Sequence, residues 1–289
     1  MLTDEPRLSW DLLADVRHLF DFPFMVNAMR AGTIVAVLAG LIGWFMVTRR
    51  QSFAGHTLAI IGFPGAAGAT LLGVGVHYGY FTFCVAGAIV IALVPRAAES
   101  NFGEESAVIG TVQTVALGSG FLFVTLYHGN LNGLNALLFG SYLGIAASQV
   151  VVLLVVAALA VGFIAIIGRP LLFASLDPGV ARSSGVPVTL LSVAFLVVLG
   201  LAAAEASQIT GALLVFALLV LPAATAQLVT TRPAASIALS IGFALAVTWL
   251  GLGIAYYTPF PIGFWVTTLS FVGYVVASSR RLVARTVRR

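Results

Sequence analysis

The chain has 289 residues, 60% of them apolar and only 8% charged, with a net charge of +4 and a mean hydropathy of +1.08. Ordinary soluble domains are roughly 25% charged, so these figures exclude a soluble enzyme, a disordered chain and a fibrous one. They leave an all-α, polytopic membrane protein, and at about 20 apolar residues per crossing the length allows roughly eight to ten crossings.

Residues 1–23 differ from the rest. They hold Asp4, Glu5, Asp11, Asp15 and Asp21 against Arg7 and Arg17. Asp11, Asp15 and His18 fall on one helical face, with Leu12, Val16 and Leu19 beside it. This pattern predicts a short amphipathic helix in the membrane interface, closed by Pro23. The acidic start is not that of a cleavable signal peptide.

Apolar stretches follow at 24–47, 57–76, 80–95, 107–126, 134–168, 188–204, 208–229, 234–256 and 262–279. The fifth is too long for one crossing and divides into a short surface helix at 134–145 and a crossing near 147–168. The expected organisation is therefore a transmembrane domain over 24–279, with about eight to nine transmembrane helices, and a basic tail at 280–289. Gly62, Gly65 and Gly68 step along the second stretch, a spacing that lets helix backbones approach closely in lipid.

All 14 basic side chains are arginine. Arg49, Arg50, Arg96, Arg169, Arg182, Arg232 and the C-terminal cluster fall in alternate connections; the loops expected at 77–79, 127–133, 205–207 and 257–261 carry none. By the positive-inside rule the arginine side, and with it the C-terminus, is cytoplasmic.

Few polar residues are placed to do chemistry. Arg30, about one turn into the first stretch, is expected to snorkel to the outer interface beside Asp21 or to meet an anionic external partner. Glu205 is expected in an outer loop, solvated or engaged in docking. His56 opens the second stretch and reads either as an interfacial hydrogen-bonding side chain or as a ligand. The segment 169–187 holds the clearest local signal. Asp177 suits a helix N-cap, Pro178 the first helical position and Gly185 the C-terminal cap, so a two-turn helix at 178–184 is expected. It would offer Val180, Ala181, Arg182 and Ser183 to a cytoplasmic partner.

Other chemistries find no support. Cys84 is the only cysteine, there is no phosphate-cradling Gly-x4-Gly-Lys loop, and no His-x3-His or Cys-x2-Cys spacing builds a zinc site. Nor does the pI of 9.6 reflect a basic stripe for nucleic acid.

Several segments together resemble the membrane permeases of zinc/manganese ABC importers: Phe22-Pro23-Phe24-Met25, Arg49-Arg50-Gln51-Ser52-Phe53-Ala54-Gly55, Leu138-Phe139-Gly140-Ser141, Asp177 through Val186, and Leu219-Val220-Leu221-Pro222-Ala223-Ala224-Thr225-Ala226 after Gly211. The resemblance implies a homodimeric permease of the bacterial plasma membrane. A separate cytoplasmic ATPase subunit would drive it, and an external metal-binding protein would supply zinc or manganese. No cofactor would reside in this chain. The resemblance makes 177–185 the coupling helix, with Asp177, Ala181, Arg182 and Gly185 as its key positions. Arg30 and Glu205, read from their positions as lying toward the outer face, are expected to orient the external binding protein. After the glycine at 55 the family has Asp, then His four residues later, as ligands in the path. Here those positions hold His56 and Ile60. His56 is retained as a transit ligand; Ile60 has no ligating atom. Alternative readings are a permease for a siderophore or haem chelate, and an ion-gradient-driven secondary transporter, which would show intramembrane carboxylates or broken helices.

Overall fold

The computed structural model describes residues 17–93, 102–127, 144–211 and 215–286. A helical turn at 17–20 precedes ten helices: α1 (Pro23–Thr48), α2 (Ser52–Leu71), α3 (Val76–Leu93), α4 (Phe102–Leu126), α5 (Ala147–Leu176), α6 (Pro178–Ser183), α7 (Val188–Thr210), α8 (Val215–Val229), α9 (Pro233–Tyr257) and α10 (Ile262–Thr286). Most of the expected amphipathic helix at 1–23, and the surface helix at 134–145 with its Leu-Phe-Gly-Ser segment, lie outside the described residues.

Proline sets the starts of two long helices and of the short α6, where Pro178 stands. Pro23 and Pro233 stand in the first turns of α1 and α9, where a missing N–H costs nothing. The turn after α2 falls at 72–75, where Gly73 takes φ 70°. The expected loop at 77–79 is instead the first turn of α3.

α1 occupies the centre, packed against α5, α7, α8 and α9. A Cβ built on Gly40 would lie 2.7 Å from Ile241 Cα, and one on Gly43 would overlap the Leu219 carbonyl oxygen. Polar bonds reinforce this contact. Ser240 Oγ donates to the Gly40 carbonyl (2.7 Å), and Trp44 Nε1 donates to Ser236 Oγ (2.9 Å). Gln227 Nε2 donates to the Trp44 carbonyl (3.2 Å) and to Thr48 Oγ1 (3.0 Å). A second group gathers around α2, which packs on α3, α4 and α7. Gly65 and Gly79 meet backbone to backbone, as the small-residue spacing predicted, and Thr57 Oγ1 donates to Gln113 Oε1 (2.9 Å). α7 touches both groups.

Among the described residues seven helices are long and apolar enough to cross a membrane, against the eight to nine expected. The difference rests on α2 and α8. α8 has only 15 residues. α2 carries four glycines, a proline and a histidine, and 15 of its 20 residues are buried. A helix walled by protein has no need of a lipophilic surface, so hydropathy understates it.

The close approaches set a test. Gly43→Ala forces α1 and α8 apart and is expected to cost about 1–3 kcal/mol, the range for overpacking, seen as a lower melting temperature in detergent. Gly118→Ala, whose methyl meets nothing within 4 Å, should not lower it. Equal melting temperatures would show that the α1–α8 approach contributes no stability.

Candidate functional site

The helix after Asp177 is built by local chemistry. Asp177 Oδ1 accepts from the Val180 amide (3.0 Å), and Pro178 begins the first turn. At the other end the Gly185 amide donates to the Arg182 carbonyl (3.0 Å) and the Val186 amide to the Ala181 carbonyl (3.0 Å), with Gly185 at φ 81°. This paired pattern is the Schellman closure, and the left-handed residue it needs is cheapest as glycine. α6 is therefore a fixed unit, packed on the end of α5 and the start of α7.

Ala181 departs from expectation. It is wholly buried and so is not offered to a partner, whereas Val180 is 51% exposed. One turn of helix has room for a single inward residue here, and the small methyl takes that place. Asp177, Arg182, Ser183 and Gly185 are exposed.

His56 sits in the second turn of α2, half-buried, with its ring edge-on to Phe216 of α8 at 5.1 Å between centroids. Its Nδ1 is buried and has no hydrogen-bond partner. Ile60, one turn further, is buried. Among the described residues no three His, Cys, Asp or Glu side chains converge, so His56 is not part of a three-ligand cluster there.

Glu205 is not in a loop. It lies inside α7, 0% exposed, and neither carboxylate oxygen has a hydrogen-bond partner. The Ala-Glu-Ala-Ser-Gln run consists mostly of good helix formers. The helix continues to Thr210, and within it Ser207 Oγ donates to the Ala203 carbonyl (2.7 Å) and Gln208 Nε2 to the Ala204 carbonyl (3.2 Å). A side chain with no exposed surface cannot serve as an outer docking charge. Arg30 is exposed on α1, as expected, but makes no ion pair with Asp21 among the described residues.

Arg49 is the polar residue that sequence reasoning passed over. Its guanidinium donates to Ser175 Oγ on α5 (2.9 Å), to Ser192 Oγ on α7 (2.6 Å) and to Gln51 Oε1 (3.2 Å), and lies 5.3 Å above the Phe195 ring. An arginine pair after an apolar stretch signals topology, and nothing local in the sequence announces partners so far along the chain.

Two tests follow from this geometry. Asp177→Ala and Gly185→Ala should each weaken α6 by about 1 kcal/mol, read as roughly fivefold faster amide exchange over 180–186; unchanged exchange would remove the caps as its support. Glu205→Met should leave the melting temperature equal or higher, since an unpartnered buried carboxylate is replaced by an apolar group of similar shape. A fall equivalent to more than about 1 kcal/mol would show that the carboxylate contributes to folding.

Comparison with known proteins gives the same outline. The family model described as "ABC 3 transport family" matches residues 21–281. The manganese transport system membrane protein MntC of Halalkalibacterium halodurans is 30% identical over 215 residues, covering 74% of this chain and 73% of that protein. The manganese import system permease protein ScaB of Streptococcus gordonii is 27% identical, covering 94% and 98%. In the solved structure of PsaBC from Streptococcus pneumoniae in complex with Fab, one chain superposes with a TM-score of 0.81 at 26% identity, covering 92% of this chain and 95% of that one. The chain belongs to the ABC 3 transport family, as a transmembrane permease subunit whose ATP hydrolysis resides on a separate subunit.

Proposed function

We propose that this permease carries a bare divalent metal ion, zinc or manganese, into the cytoplasm along a path shared by two copies of the chain. The family is that of metal-type ABC importers, and its membership sets aside an ion-gradient-driven mechanism. The observation that supports the coupling is α6: a capped, exposed helix held between two long helices, on the arginine-bearing side read as cytoplasmic. Val180, Arg182 and Ser183 form its exposed contact surface, and Ala181 seats it on the bundle. α2 and α8 serve as the eighth and ninth crossings. With the arginine-bearing connections inside, the C-terminus is cytoplasmic and the N-terminus is outside. An external metal-binding protein docks on the outer face, with Arg30 among its contacts.

His56 supports the shared path. One imidazole outside any three-ligand cluster of the described residues makes a poor metal site, but a two-fold axis would bring two together. Neutral imidazole suits zinc, while manganese prefers carboxylate oxygen. A site of two imidazoles completed by water or backbone oxygen would bind weakly and release readily.

Metal uptake into proteoliposomes holding the permease, its ATPase and its external binding protein tests the reading. His56→Ala should reduce zinc uptake at least about tenfold. His56→Asp should keep part of the uptake and shift preference toward manganese. Wild-type zinc uptake in both variants would discard His56 as a ligand, and uptake of a metal chelate but not of the bare ion would replace the substrate. Ser183→Cys should crosslink to the ATPase and resist an impermeant external thiol reagent; labelling from outside would invert the topology.

A further inference from the structure

We infer that Arg49 is the positioning residue that makes the start of α2, and His56 with it, follow the coupling helix. The inference rests on the reading that the ATPase docks on α6.

Ser175 and Ser192 stand on either side of α6. Ser175 is in the last turn of α5, two residues before the Asp177 cap, and Ser192 is in the second turn of α7. With Ala181 buried between them, the end of α5, the whole of α6 and the start of α7 form one bracket. Arg49 holds both arms of this bracket through a single guanidinium. Ser175 Oγ donates its own proton to the Leu171 carbonyl at 2.5 Å, which leaves its lone pairs to receive Arg49. Ser192 is buried, and Phe195, one turn further along α7, lies under the cation.

On its other side Arg49 has little slack. It caps α1, and α2 begins three residues later. The Arg50 amide donates to the Val47 carbonyl (3.1 Å) and the Gln51 amide to the Met46 carbonyl (2.9 Å), closing the corner with Arg50 in the left-handed region at φ 57°. Arg49 Nε also donates to the Gln51 side chain, and Gln51 is the residue from which α2 starts. His56 follows five residues after Gln51. A shift of the α5–α6–α7 bracket therefore either breaks two charge-assisted bonds or carries the α1–α2 corner with it. The planar fork of arginine reaches two helices at fixed angles; the ammonium of lysine would not reproduce that geometry.

The test uses the complex of permease, ATPase and external binding protein in proteoliposomes, with zinc or manganese ion supplied through the binding protein. Manganese or zinc taken up per ATP hydrolysed is compared among wild type, Arg49→Lys and the double variant Ser175→Ala/Ser192→Ala. The double variant keeps the arginine and removes only the hydroxyls, so it decides the matter even if Arg49→Lys does not assemble. The inference expects uptake per ATP to fall about tenfold while the ATPase still co-purifies and still crosslinks to Ser183→Cys. A merely structural arginine would lower the melting temperature and leave that ratio unchanged; an unchanged ratio with the crosslink intact overturns the inference. Absence of the crosslink in an otherwise wild-type permease overturns the docking reading, and the role of Arg49 with it.

Discussion

Between helices in a bilayer there is little water to expel, so close contact and hydrogen bonding must hold them together. α1 shows how this is met. Glycines at 40 and 43 bring its backbone against α9 and α8, and at that separation Ser240 reaches the Gly40 carbonyl and Gln227 the Trp44 carbonyl. The polar bonds depend on the approach, and the approach depends on the missing Cβ atoms. Gly65 and Gly79 repeat the device between α2 and α3, and Gly200 repeats it against the Cys84 carbonyl between α7 and α3. Two closely packed groups result, joined chiefly through α7.

The corner between α1 and α2 adds a joint of another kind. Helices in backbone contact have little freedom to shift against each other, whereas side-chain bonds lengthen and re-form. Arg49 supplies such bonds, from the end of α1 to hydroxyls on α5 and α7.

Local chemistry is legible in the sequence, and long-range partnership is not. Asp177, Pro178 and Gly185 announce α6 because a cap acts within four residues of itself, and Pro23 and Pro233 mark helix starts for the same reason. The apolar stretches give nearly every helix, with ends displaced by a few residues. Glu205 misleads because an acid between apolar runs has the composition of a loop; the alanines on both sides favour helix, and its burial comes from tertiary packing that no local pattern announces. Ala181 misleads because a six-residue helix has too few positions to reveal which side faces the bundle. Arg49 finds its serines 126 and 143 residues away, a distance over which no periodicity carries information.

The modest lipophilicity of α2 bears on biogenesis. Once assembled, α2 is surrounded by other helices and its composition does no harm. As it leaves the ribosome it meets only the insertion machinery and lipid, and four glycines, a proline and a histidine make it a poor substrate for both. α3 follows after a four-residue turn, and the Gly65–Gly79 contact lies close to that turn, where a newly made hairpin closes first. With α2 read as a crossing, as proposed, the natural unit of insertion is the α2–α3 pair, with the more apolar partner drawing the other in. A lesion in α3 would then register first as failed delivery of α2 to the membrane, before any effect on transport.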